Sequence, residues 1–259
     1  MIELHKLAAG YPERRVLERV SLQFPDGQIT VLAGPNASGK TTLLRTILGL
    51  EPRLEGEIFL DGTAQTDLTA RELALRVSYL PQSRPVPNIA AGRMVLHGRF
   101  PYLGYPRRYR PEDWAMAKAA LREAGAEELE RQLMSRLSGG QRQRVYLAML
   151  LAQDTRNVLL DEPTTYLDVA HQFRLLDCAR RLADQGRAVV LVLHDLCLAL
   201  RWADQLAVLD SGRLQMADSP ERVFTSGILD RVFEVNVRRF QTPNGWQYYC
   251  EGKTPPSPQ

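Results

Sequence analysis

The chain has 259 residues, with 33 Lys+Arg against 30 Asp+Glu, and is 44% hydrophobic, 24% charged and 7% aromatic. That balance fits a soluble globular chain of one large domain or two modest ones and argues weakly against a dedicated nucleic-acid binder. The longest unbroken apolar run, residues 145–152, falls far short of the roughly 18–20 residues that span a bilayer, and Glu3, His5 and Lys6 interrupt any N-terminal targeting signal.

The pattern predicts short strands at 3–8, 16–24 and 28–33, separated by the turn signals Gly10-Tyr11-Pro12 and Pro25-Asp26-Gly27. A helix is expected over 39–48, then a hairpin strand at 57–60 closed by Asp61-Gly62, and a strand at 77–80 ended by Pro81. The loop Ser83-Arg84-Pro85-Val86-Pro87 leads into helices near 90–97, 111–124 and 127–134. Pro111 followed by Glu112 and Asp113 suits a helix start. A further helix opens at Ser138 and runs to about residue 153. Buried strands at 157–160 and 188–193 flank a helix over 169–183. A helix at 196–203, a strand at 206–209 and a turn at Gly212 follow, and residues 254–259 read as a frayed tail. The βα alternation implies parallel strands with helices on both faces.

Only four of the basic residues are Lys (Lys6, Lys40, Lys118 and Lys253), which makes Lys40 conspicuous at its position. Gly34-Pro35-Asn36-Ala37-Ser38-Gly39-Lys40-Thr41 fits G-x-x-x-x-G-K-[ST] between a β-branched strand and an apolar helix. Backbone N–H groups of such a loop wrap a phosphate, helped by the partial positive charge of the helix N-terminus. Lys40 would reach the β- and γ-phosphates, and the Thr41 hydroxyl would ligate Mg²⁺. Asp161 and Glu162 end an apolar strand, where ligands of parallel sheets bind. Asp161 suits a Mg²⁺ contact, and Glu162 could polarise an attacking water. Ser138 is a candidate N-cap, and Gly139 and Gly140 would let a phosphate approach bare backbone N–H groups. His194, at a strand's carboxyl end, is either structural or a γ-phosphate contact. The cysteines Cys178, Cys197 and Cys250 show no metal or redox spacing, so inert thiols are expected.

Over nearly its whole length the chain resembles the ATP-binding cassette family, the nucleotide-binding subunits of ABC transporters. The resemblance rests on GPNASGKTT at 34–42, LSGGQRQR at 137–144, VLLDEPT at 158–164 and their order. It implies an α/β P-loop NTPase with a mixed sheet core and an antiparallel β subdomain, residues 1–82 and 155–259. A helical subdomain, 83–154, is inserted in it. The implied cofactors are ATP and Mg²⁺. Residues Gly34 to Thr42, including Thr42 itself, would hold the phosphates. Tyr11 matches the aromatic that stacks on adenine. Gln82 matches the lid-loop glutamine that meets Mg²⁺ and the attacking water, and His194 becomes a catalytic contact. Ser138, Gly139, Gly140 and Gln141, with Asp168 in the interface loop, would act on nucleotide held by a second copy of the chain. One position departs from the family, because Ala37 stands where the loop most often has Gly. Either its φ is negative or the backbone there is strained.

Residues 98–102 (GRFPY), 148–154 (AMLLAQD), 161–172 (DEPTTYLDVAHQ) and 193–199 (LHDLCLA) look like the subgroup importing ferric siderophores. Haem, cobalamin or molybdate are alternative cargoes. The implied partners are membrane permease subunits and, indirectly, a periplasmic or surface substrate-binding protein. The implied location is the cytoplasmic face of the membrane. The basic and aromatic stretch 93–110 is read three ways: a nucleic-acid reader, a solvated helical face, or the groove that receives a permease helix. A soluble ATPase acting on DNA or ribosomes would need a coiled-coil insertion or a second cassette, and the chain shows neither. A regulator without turnover is opposed by the presence together of Lys40, Gln82, Asp161, Glu162 and His194.

Overall fold

The structure is a computed structural model, and it describes residues 1–252 apart from 12, 83, 166 and 244. The expected tail at 254–259, Pro12 of the first turn signal and Ser83 of the lid loop lie outside the described residues.

Strands β1 (Ile2–Tyr11) and β2 (Arg14–Phe24) form a hairpin and lead to β3 (Ile29–Ala33) and helix α1 (Lys40–Ile47). Strands β4 (Arg53–Leu60) and β5 (Thr63–Ala64), helix α2 (Ala70–Arg76) and strand β6 (Val77–Leu80) complete the first third. The middle is helical: α3 (Ala91–Leu96), α4 (Pro111–Glu123) and α5 (Gly139–Gln153). Alternation resumes with β7 (Asn157–Asp161), α6 (Val169–Asp184), β8 (Ala188–Val192), α7 (Leu196–Trp202), β9 (Gln205–Asp210) and β10 (Arg213–Asp218). Helices α8 (Pro220–Thr225) and α9 (Ile228–Val232) and a hairpin of β11 (Val235–Thr242) and β12 (Gly245–Gly252) follow.

The central sheet has the order β10-β9-β3-β8-β7-β6, parallel except for β10. Its middle strands are buried on both faces, which is why they read as continuous apolar runs. Side chains alternate between two cores. Val31, Val158, Leu160 and Leu191 pack on the side of α3 to α9. Leu32, Leu159, Val190 and Val192 pack against Leu43, Leu44 and Ile47 of α1 and the antiparallel sheet β2-β1-β4-β5. Each such fully buried side chain stabilises the fold by about 1.5–3 kcal/mol relative to an exposed one, so one slip in strand register would empty both cores.

Helices α3, α4 and α5 pack on one another between β6 and β7, and α5 also touches β6. The expected helix at 127–134 is absent. Two 3-10 turns stand in its place, at Glu127–Leu129 and Met134–Arg136. The intervening backbone is used elsewhere. The carbonyls of Gln132 and Glu130 accept from the N–H groups of Ala91 and Gly92, and the Met134 N–H donates to Ile89 O. Those carbonyls therefore satisfy the first turn of α3 instead of continuing a helix. No helix among the described residues is long and apolar enough to cross a membrane.

Candidate active site

Four neighbouring strands of the central sheet end at one edge. The phosphate loop follows β3, His194 follows β8, Asp161 closes β7, and Gln82 lies just beyond β6. A parallel sheet places such carboxyl ends together, so residues far apart in sequence converge there. A cavity of about 700 Å³ at this edge is lined by residues 36–42 together with Gln82, Glu162 and His194.

The loop is shaped by close packing and by unusual backbone angles. A Cβ on Gly34 would lie 2.2 Å from Leu209 O and 2.6 Å from Ser38 Oγ, so the strand-to-loop corner admits only glycine. Ala37 has φ +62°, and Gly39, which precedes the first helical residue, has φ +103°. Lys40 is buried, and its Nζ donates to Gly34 O at 2.8 Å, Pro35 O at 2.8 Å and Ser38 Oγ at 3.4 Å. Burial pushes its pKa down, while Glu162 and Asp161 act in the opposite direction.

Asp161 is also buried. Burial raises its pKa, opposed by the neighbouring hydroxyls of Thr41 and Tyr79. Its Oδ2 accepts from the Tyr79 hydroxyl at 3.1 Å, whereas Oδ1 has no hydrogen-bond partner. A buried carboxylate oxygen without a partner, beside a threonine hydroxyl, is a donor set that suits a hard, oxygen-seeking cation such as Mg²⁺. No cluster of three or more His, Cys, Asp and Glu side chains able to hold a metal occurs among the described residues.

Glu162, next after Asp161, has φ +50°. Strained backbone of this kind persists where the surroundings over-determine it. Here they do: Gln82 Nε2 donates to Glu162 Oε2 at 2.5 Å, and His194 Nε2 lies 2.5 Å from Glu162 Oε1. Each carboxylate oxygen is gripped by a different strand end.

The structure does not bring every expected residue to this cavity. Ser138, Gly139, Gly140, Gln141 and Asp168 line a separate cavity of about 510 Å³ with Leu167 and His171. Ser138 caps α5 reciprocally: its hydroxyl accepts from Gln141 N at 3.3 Å, and Gln141 Oε1 accepts from Ser138 N at 2.9 Å. Asp168 caps α6 by accepting from His171 N at 2.9 Å. Tyr11 is exposed at the end of β1, and its hydroxyl donates to Glu51 Oε2 at 3.0 Å. Arg14 and Val16 of β2 do line the main cavity, and the sequence carries no motif that would single them out. Tyr79 was equally silent, because only the pairing of β6 with β7 brings it to Asp161.

Residues 17–165 match the family model described as ABC transporter. The chain belongs to the ABC transporter family. ATP-binding import subunits of this family are ATPases, and the chain is one of them. Among its relatives are the achromobactin transport ATP-binding protein CbrD of Dickeya dadantii, 38% identical over 93% of this chain and 91% of the relative. The iron(3+)-hydroxamate import ATP-binding protein FhuC of Bacillus subtilis is 37% identical over 96% of this chain and 93% of its own length. A solved dimeric bacterial ABC transporter cassette superposes with a TM-score of 0.75 at 28% identity, covering 85% of this chain and 99% of that one.

Proposed function

We propose that the chain is the ATP-hydrolysing subunit of an importer that energises uptake of an iron(III)-siderophore complex through a separate membrane permease. The ATPase role stands on one observation, the grip of Gln82 and His194 on Glu162 beside the phosphate loop. Support for the cargo comes from the relatives, whose names specify achromobactin and iron(3+)-hydroxamate.

In this reading the loop from Gly34 to Thr42 holds the phosphates, and Tyr11 stacks on the adenine. Mg²⁺, held by Asp161, Thr41 and Gln82, would neutralise phosphate charge. Glu162 takes a proton from water as its oxygen bonds to the γ-phosphorus. The bond from that phosphorus to the bridging oxygen breaks, and ADP and phosphate leave. Lys40 and His194 stabilise the charge that develops. Ser138 to Gln141 and Asp168 serve the nucleotide of a second copy, in keeping with their separate cavity in one chain. The nucleotide-binding core comprises 1–82 and 155–259, and 83–154 forms the subdomain that meets the permease at the membrane's cytoplasmic face. The exposed Phe100, Tyr102 and Tyr105 and the exposed Arg93, Arg107, Arg108 and Arg110 suit that contact.

Glu162→Gln keeps the shape of the side chain but removes the base. It is expected to retain ATP binding, to trap a dimer on size-exclusion chromatography, and to lose at least about 100-fold in steady-state turnover. Turnover near the wild-type rate would remove Glu162 as the base.

A further inference from the structure

Tyr79 stands on β6 opposite Leu159 of β7 in the parallel register. Residues 159 and 161 of β7 share one face because side chains alternate along a strand. That face looks onto α1, and Tyr79 packs into the same apolar cluster as Leu159, Leu43 and Leu44. The ring is thus seated, and only its hydroxyl reaches the polar edge. There it donates to Asp161 Oδ2 at 3.1 Å. Oδ1 of the same carboxylate is buried and has no hydrogen-bond partner, and the Thr41 hydroxyl approaches the carboxylate from α1.

A carboxylate end rotates readily unless one oxygen is held. With Oδ2 occupied by a tyrosine anchored in a strand, Oδ1 becomes the oxygen that is left to ligate. Partners one step removed from a metal commonly fix ligand orientation in this way. We propose that Tyr79 is a positioning residue for the divalent cation: it fixes Asp161 through Oδ2 and so reserves Oδ1 for the metal. This rests on Asp161 and Thr41 being metal ligands, as set out above. Tyr79 touches neither nucleotide nor metal and acts through Asp161.

The test uses the full chain with Mn²⁺ as a spectroscopically visible probe and a slowly hydrolysed ATP analogue. Free Mn²⁺ is counted by electron paramagnetic resonance for wild type, Tyr79→Phe and Asp161→Asn. Tyr79→Phe keeps the ring and its packing, and thermal unfolding checks that it is folded. Its Mn²⁺ dissociation constant is expected to rise about tenfold, with metal-free analogue binding in EDTA unchanged. In turnover, the Mg²⁺ requirement rises while kcat at saturating Mg²⁺ is largely recovered. Tyr79→Phe binding Mn²⁺ like wild type, while Asp161→Asn loses it, overturns the positioning role alone. Equal Mn²⁺ binding by all three proteins overturns the assignment of Asp161 as a ligand and this inference with it. A fall in metal-free analogue binding that matches the fall in Mn²⁺ affinity makes Tyr79 merely structural, which also overturns it.

Discussion

Ala37 shows what a single residue does in the phosphate loop. Its φ of +62° lies in the left-handed region, so the backbone takes the conformation that a glycine would adopt freely. For an L-residue that conformation costs roughly 1–2 kcal/mol. A glycine would lose about 0.4–1 kcal/mol more chain entropy on folding. Strain relief outweighs that loss, so Ala37→Gly should stabilise the ligand-free protein by up to about 1 kcal/mol. A rise in the urea midpoint, with ATP binding retained, is the expected result. A lower midpoint would mean that the Ala37 methyl makes contacts worth more than the strain. Glu162, with φ +50°, is another non-glycine residue in the left-handed region. Its carboxylate meets Gln82 and His194 whereas Asp161 meets Tyr79, contacts that two adjacent acids do not reveal on paper.

Among the elements, α7 carries the most direct link between folding and chemistry. Its cap, Asp195, accepts from Cys197 N at 2.8 Å and Leu198 N at 3.0 Å, immediately after His194. Asp195→Ala should cost about 1 kcal/mol of stability. It should also lower turnover, because the backbone that aims His194 loses its anchor. Asp195→Asn, which can still cap, should keep more of both. Thermal unfolding and ATPase rates check this, and an alanine variant equal to wild type in both would show that the cap does not hold His194. The long amphipathic and buried elements were legible from local pattern, as continuous apolar runs in β3, β7 and β8 and as a helical repeat in α6. Helix α2, whose cap Thr69 accepts from Glu72 N at 3.2 Å, was missed for want of a buried face. Helices α8 and α9 and the β11–β12 hairpin were missed too. Of these, α8 packs on α7, β9 and β10, and β12 packs on α7, contacts that local pattern does not report.

At the scale of the whole molecule, the phosphate loop and the Ser138 cavity are separate in one chain. If each nucleotide is sandwiched between two copies, mixing chains that carry Lys40→Ala with chains that carry Ser138→Arg leaves one intact composite site per heterodimer. Turnover should then reappear in the mixture although each variant alone is nearly inactive. Its absence, in samples where heterodimers are shown to form, would refute the sandwich. Distance in sequence also misled in a smaller matter. Cys197 and Cys250 read as unrelated, yet β12 packs on α7 and brings the two cysteines near one another. Desolvation, with Asp195 nearby, pushes Cys197 up to about 12, which keeps that thiol protonated and slow to react.

What the sequence determined by itself was the set of contiguous motifs. The phosphate loop, the Ser138 cap with its glycines, and the Asp161-Glu162 pair are each built from neighbours along the chain, and backbone N–H groups and strand ends do the rest. Membership of the family followed from those motifs and their order. Only the tertiary structure decided which residues share a cavity, which partners each of the two carboxylates meets, and that the Tyr79 hydroxyl donates to Asp161. Those facts depend on the parallel pairing of β6, β7, β8 and β3, and strand order is a long-range property. It is set by how the apolar faces bury one another, and no stretch of sequence contains it alone.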